Sequence, residues 1–218
     1  MDIKENLIFQ VKQIIFGVQD GLVTTIILTT TLSAVSTNSI LILSALTAGI
    51  GGAISMATGT YLGSKSQKEV LEIKTEDENI KEKAGSLISK NLKDQGVEKS
   101  DLDNMVQILS KYPDIEKGIA STLILGEDIE KTIRPKTDAV FMGISFLIGA
   151  LIPTIPYIFL KTNIAVIFSI LLVAISLFFI GFFKAADRKE DRIKNALEIL
   201  IIGMIAAILG YYIGQIVK

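Results

Sequence analysis

The chain has 218 residues, half of them hydrophobic, with a mean hydropathy of +0.51 and a net charge of -1. A soluble domain of this length is rarely so apolar, so the composition points to a membrane protein. The absence of Cys and His excludes disulfides, thiolate or imidazole metal sites, and Ser-His or Cys-His catalytic pairs.

The near-zero net charge conceals a strong segregation. Sixteen of the 23 Asp and Glu fall between Glu69 and Asp138. Outside that stretch the chain offers five apolar runs of the roughly 20 residues that a bilayer core requires. They span Gln13 to Val35, Ser39 to Gly63, Ala139 to Leu160, Asn163 to Phe183 and Ala196 to Val217. The connections Ser36-Thr37-Asn38 and Lys161-Thr162 are so short that each flanking pair must be a helical hairpin. The first run is too long for a cleavable signal peptide and lacks a small-residue cleavage pattern, so none is expected. The expected fold is an all-α integral membrane protein. Five transmembrane helices carry a cytoplasmic helical insert between the second and third, dividing the chain into residues 1–63, 64–137 and 138–218.

Lys and Arg set the orientation. Thirteen lie in the insert from Ser64 to Lys136, five between Lys184 and Lys194, and two before the first span; only Lys161 and Lys218 lie on the other side. Five spans put all three rich segments on one side. The N-terminus and insert are expected in the cytoplasm and the C-terminus outside, and the Lys- and Ile-rich composition suggests a microbial plasma membrane.

The insert reads as helical. Lys65 to Lys90 continues the second span, and Asp94-Gln95-Gly96 ends it. Ser100 and Asp103 resemble a capping box opening a helix to about Ser110. Pro113 suits the first turn of another helix, ending near Gly126.

Asp20, in F-G-V-Q-D-G-L-V, is the one carboxylate deep in a span, and an intramembrane carboxylate is a candidate functional site. The plainer alternative is an Asp that fixes helix packing. Glu198 is close enough to Lys194 to reach the interface. Met56, in S-M-A-T-G-T-Y-L-G-S-K-S, would ordinarily be filler. Yet both Asp20 and Met56 should lie roughly 12–14 Å in from the cytoplasmic ends of antiparallel helices. A carboxylate and a thioether at one depth suit a borderline ion such as ferrous iron better than calcium or magnesium. Small residues crowd the second span (Gly49, Gly51, Gly52, Gly59) and the fifth (Gly203, Gly210, Gly214), fitting either bundle packing or a dimer seam. Pro153 and Pro156 should bend or loosen the third span and free carbonyls that need cover. In the insert, Glu69, Glu72 and Glu76 share a helix face, and Glu78 and Glu82 form an i,i+4 pair. Like charges so placed repel unless a cation bridges them, although interleaved lysines also permit a simple solvated face.

These residues resemble the vacuolar iron transporter family, which includes the yeast vacuolar calcium/manganese-cross-complementing type carriers. The resemblance rests on F-G-V-Q-D-G-L-V at 16–23, A-I-S-M-A-T-G-T-Y-L-G-S-K-S-Q at 53–67 and G-A-L-I-P-T-I-P-Y at 149–157, and the layout covers essentially the whole chain. It implies a homodimer that exports ferrous iron, and often manganese, from the cytoplasm in exchange for protons. The implied pore lies between subunits and is lined by the first two helices, with Asp20 and Met56 as metal ligands. It also implies metal collection by the cytoplasmic domain, where Glu72, Glu76 and Glu78 lie in the matching helix. The chain departs from the pattern in places. Gln13 lies in a first segment thin in acids, Ala48 and Thr60 stand where some members carry Glu, and S-T-L-I-L-G-E-D retains only Glu127 of a Met-Met-Glu group. Neither a resident cofactor nor a nucleic-acid partner is expected, and no nucleophile-base pair, phosphate loop or cofactor motif suggests an enzyme. The competing functions are a non-transporting metal sensor or partner-binding scaffold, and a passive divalent-cation channel.

Overall fold

A computed structural model describes residues 3–76, 98–109, 111–112, 115, 133–184 and 191–217. The described helices are α1 (Ile3–Ser33), α2 (Asn38–Glu76), α3 (Lys99–Leu109), α4 (Pro135–Phe159), α5 (Thr162–Lys184) and α6 (Asp191–Val217). Five of them contain stretches long and apolar enough to cross a membrane: Gln10–Ser33, Asn38–Val70, Pro135–Phe159, Thr162–Lys184 and Arg192–Ile216. The helices overrun the apolar runs. Hydropathy marks the bilayer slab, whereas an α-helix continues for as long as its own hydrogen bonds can close.

The chain divides into two compact units, residues 1–60 with 136–218, and residues 61–135. In the second unit, α3 begins after Glu98, whose carbonyl accepts from the Asp101 amide at 3.1 Å. The cap therefore lies at Glu98, two residues before the expected Ser100. The helix expected after Pro113 lies mostly outside the described residues.

The first unit is a helical bundle organised around α1. Leu22 and Ile26 of α1 pack with Val173 and Leu177 of α5 and Ile199 and Ala207 of α6. A second cluster joins Leu41, Tyr157 and Ala165, from α2, α4 and α5. Glycines let the helices touch at backbone level. A Cβ on Gly17 would lie 2.8 Å from the Met142 carbonyl oxygen, and one on Gly149 would overlap the Val18 carbonyl, so α1 and α4 are in direct contact. Likewise Gly210 and Gly214 seat α6 on α1 at Ile27, Thr30 and Thr31, and Thr31 Oγ1 donates to the Gly210 carbonyl at 2.8 Å. The small residues of the fifth span thus serve internal packing.

Helix α4 runs unbroken through both prolines. Pro153, Thr154, Pro156 and Tyr157 are all buried, and the Pro153 carbonyl accepts from Ser169 Oγ of α5 at 2.7 Å. The carbonyls that the two prolines leave without an amide belong to Gly149 and Ile152, and Gly149 is buried against Val18 of α1, as a freed carbonyl in lipid demands. At the end of α4, Asn38 Nδ2 donates to the carbonyls of Tyr157 (2.9 Å) and Leu160 (2.7 Å), and Thr162 Oγ1 donates to Asn38 Oδ1. One side chain in the α1–α2 turn thereby satisfies carbonyls that the end of a helix leaves open.

Candidate metal-binding site

Asp20 lies between the two glycines that bring α1 onto α4. Gly17 faces Met142, Ser145 and Phe146, and Gly21 faces Phe146, Gly149 and Ala150. Both helices advance together, so they run parallel. Asp20 is half-buried at this crossing, and Thr24 Oγ1, one turn on, approaches its Oδ1 at 3.5 Å. That distance is the outer limit of a hydrogen bond and leaves the carboxylate able to take another partner.

Phe146 relates Asp20 to Met56. Its backbone lies against Gly17 and Gly21, while a Cβ on Gly52 of α2 would lie 2.5 Å from its ring. One turn nearer the start of α4, Gly143 faces Ala53 and Ala57. Met56 sits between those two α2 residues in sequence and is half-buried. Asp20 and Met56 therefore occupy neighbouring layers, about one and a half helical turns or roughly 8 Å apart along the bundle.

The remaining candidates are not gathered there. Glu72 and Glu76 fall in the last part of α2, and Glu78 and Glu127 lie outside the described residues. On the same helix Lys65 pairs with Glu69 at 3.7 Å, with both side chains more than half exposed. That is the pattern of a solvated face, and such pairs contribute little. Among the described residues, no group of three or more His, Cys, Asp or Glu could hold a metal. Glu198 is exposed, in keeping with a residue that reaches the interface. A buried carboxylate escaped the sequence reading. Asp138 is only 4% exposed, in the first turn of α4. Its signal was Pro135 three residues before, which marks a helix start where acids are favoured.

Within one chain, Asp20, Thr24 and Met56 supply at most a carboxylate, a hydroxyl and a thioether. A divalent transition ion needs more donors, from water, backbone or another chain. Helix α2 has surface to offer. Only 17% of its membrane stretch is buried within the chain, against 39% for α1 and 44% for α4. Gly49 and Gly52 pack on α4, whereas Gly51, Gly59 and Gly63 have nothing within 4 Å of a Cβ position.

A sequence model of the VIT family matches residues 11–215, taking in both layers of this site. The chain belongs to the VIT family. Among curated relatives of this VIT-family chain, vacuolar iron transporter 1 of Eucalyptus grandis is 30% identical over 215 residues, covering 95% of this chain and 86% of the relative. Vacuolar iron transporter 1 of Arabidopsis thaliana is 29% identical with the same coverage. Protein CCC1 of Saccharomyces cerevisiae is 26% identical over 212 residues, 90% of this chain and 66% of its own length. The plant relatives are named for the vacuole, which overturns the expectation of a plasma membrane. Lysine and isoleucine content reports a general compositional bias and carries no address for one membrane over another.

Proposed function

We propose that this VIT-family protein carries ferrous iron, and manganese with it, out of the cytoplasm in exchange for protons. The observation that carries the reading is the half-buried Asp20 at the α1–α4 glycine crossing, one to two turns from the Met56 layer. Relatives spanning most of the chain bear the name vacuolar iron transporter.

Asp20 is the charged ligand. Ionised, it binds a partly dehydrated divalent ion; protonated, it cannot, so proton and metal compete for one carboxylate. That competition is the simplest basis for exchange, since the empty site returns with a proton. The sulfur of Met56 adds a soft donor that favours iron over calcium or magnesium. Glu72, Glu76, Glu78 and Glu127 act by raising the local cation concentration on the cytoplasmic side. Orientation follows the Lys and Arg bias, with the N-terminus and insert in the cytoplasm.

A homodimer completes the site. One chain supplies too few donors, and the exposed face of α2 with its open glycines suits close approach of a second copy in lipid. The test is the metal-binding stoichiometry of the purified dimer, read by equilibrium dialysis with manganese. Loss of the tightest site in both Asp20→Asn and Met56→Leu is expected. Unchanged binding in Asp20→Asn would refute the assignment.

A further inference from the structure

A groove of about 390 Å³ runs between α5 and α6, far from Asp20's contacts with α4. Its walls are Val166 and Ile170 of α5 and Met204, Ile208, Tyr211 and Tyr212 of α6. Its floor is Ala207, only 3% exposed and part of the core that α1 shares with both helices. Apart from the two tyrosine hydroxyls the lining is apolar, and the volume is that of a small-molecule site.

The groove lies toward one end of the helix pair. Gly181 meets Ala196 and Gly203 meets Leu177, while the groove sets residues 166–170 beside 204–212, so α5 and α6 run antiparallel. The groove is therefore in the half of the bilayer opposite Lys184. From Met204 to Tyr212 it extends about 12 Å, most of the roughly 15 Å of hydrocarbon in one leaflet. Each wall ends in an amide on the side of the membrane surface. Asn163, Val166 and Ile170 are spaced by three and four residues, and Met204, Ile208, Tyr211 and Gln215 by four, three and four, so each set is one stripe of its helix. Asn163 and Gln215 are both exposed. An apolar trough with a polar rim at the membrane surface complements an amphiphile.

A second helix is the wrong occupant. Helices pack closely in lipid through small residues, and the glycines of α6 point elsewhere: Gly203 faces Leu177, Gly210 faces Thr30 and Gly214 faces Thr31. We propose that the groove binds one acyl chain of a phospholipid from the leaflet opposite Lys184, with its headgroup held by Asn163 and Gln215. The amide NH2 groups donate to phosphate oxygens. The rings of Tyr211 and Tyr212 flank the upper part of the chain, an amphipathic setting that tyrosine favours. A lipid bound there stabilises the folded bundle by mass action, whether or not the protein carries metal.

The chain has no Trp, so a single introduced one reports alone. Tyr211→Trp places the reporter in the groove wall. Phe168→Trp places it at similar depth on α5, at an exposed position outside the groove. Each is titrated in detergent micelles with phosphatidylcholine brominated along its chains, which quenches Trp on contact. Quenching of Tyr211→Trp should saturate at one phospholipid per chain, while that of Phe168→Trp should only follow the lipid's share of the micelle. Adding Val166→Phe to Tyr211→Trp fills the groove and should remove the saturable phase. Adding Asn163→Leu and Gln215→Leu instead should raise the half-saturating lipid concentration about tenfold, the effect of two neutral hydrogen bonds lost. Should Tyr211→Trp fail to fold, Ile208→Trp takes its place in the same comparison. Equal, unsaturable quenching of the two reporters would overturn the site. Quenching in the groove that falls as protein concentration rises, at a fixed ratio of lipid to detergent, would assign the groove to a second copy and overturn it too. An unchanged half-saturation in the amide variant would overturn the headgroup contact.

Discussion

Replacing Gly21 by Ala tests the claim that α1 and α4 touch through their backbones beside Asp20. The new Cβ would overlap the Phe146 carbonyl oxygen and lie 2.8 Å from the Ala150 nitrogen and 3.1 Å from the Gly149 carbonyl carbon. Restoring ordinary contact at Ala150 alone requires the two helices to part by about 0.6 Å, since packed cores do not yield at a backbone atom. Overpacking of this kind costs about 1–3 kcal/mol, and the upper part of that range is expected here. Gly203→Ala is the informative comparison. Its Cβ would overlap Leu177 Cδ1 even more closely, but the next atom, Leu177 Cγ, is 3.5 Å away. A side-chain tip can turn aside for about 0.5–1.5 kcal/mol. Reversible unfolding in mixed micelles, titrated with SDS, should therefore rank Gly21→Ala as the more damaging, although bare distance ranks it second. Transport should fall with Gly21→Ala as Asp20 moves away from its layer. Equal or greater loss of stability in Gly203→Ala would refute the backbone-contact argument.

Other expectations follow from single contacts. Asn38→Ala removes two bonds to carbonyls of Tyr157 and Leu160 and should destabilise the bundle by about 1–3 kcal/mol without altering metal preference, as competition uptake assays would show. Met56→Leu keeps the volume and removes the sulfur; iron uptake in the presence of excess magnesium should drop while stability changes by less than about 1.5 kcal/mol. Thr24→Val should leave uptake nearly unchanged, because its bond to Asp20 spans 3.5 Å. Glu72→Gln with Glu76→Gln should raise KM at low ionic strength and have little effect in about 0.15 M salt, where the Debye length is ~8 Å.

The membrane architecture was legible because each span carries its own signal, a long apolar run bounded by charge or a short polar turn. Asp20 and Met56 drew notice for the same reason, since residue counts from the flanking lysines convert directly to rise along a helix. The contacts that give the site its shape were harder to read. Composition drew notice to the glycines of the second span, yet the α1–α4 crossing depends on Gly17, Gly21 and Gly149. A glycine facing a neighbouring backbone looks the same in sequence as one facing open space, such as Gly51. The prolines of α4 misled in part. A missing amide is visible in sequence, but Val18, against which the freed Gly149 position is buried, comes from another helix. Asp138 was grouped with the acidic insert because it precedes the apolar run, and only the fold reveals its burial. Gln13 was noticed only as a lack of acid and Gln10 not at all, since nothing in sequence tells a buried amide oxygen from a solvated one.

The central claim is that Asp20 carries both the metal and the proton. Its most direct test is ferrous iron and manganese uptake into proteoliposomes containing a pH-sensitive dye, with wild type and Asp20→Asn compared after both are shown to have the same oligomeric size. The account predicts metal entry coupled to proton movement in wild type, and loss of both in the variant. Coupled flux that persists in Asp20→Asn would contradict it.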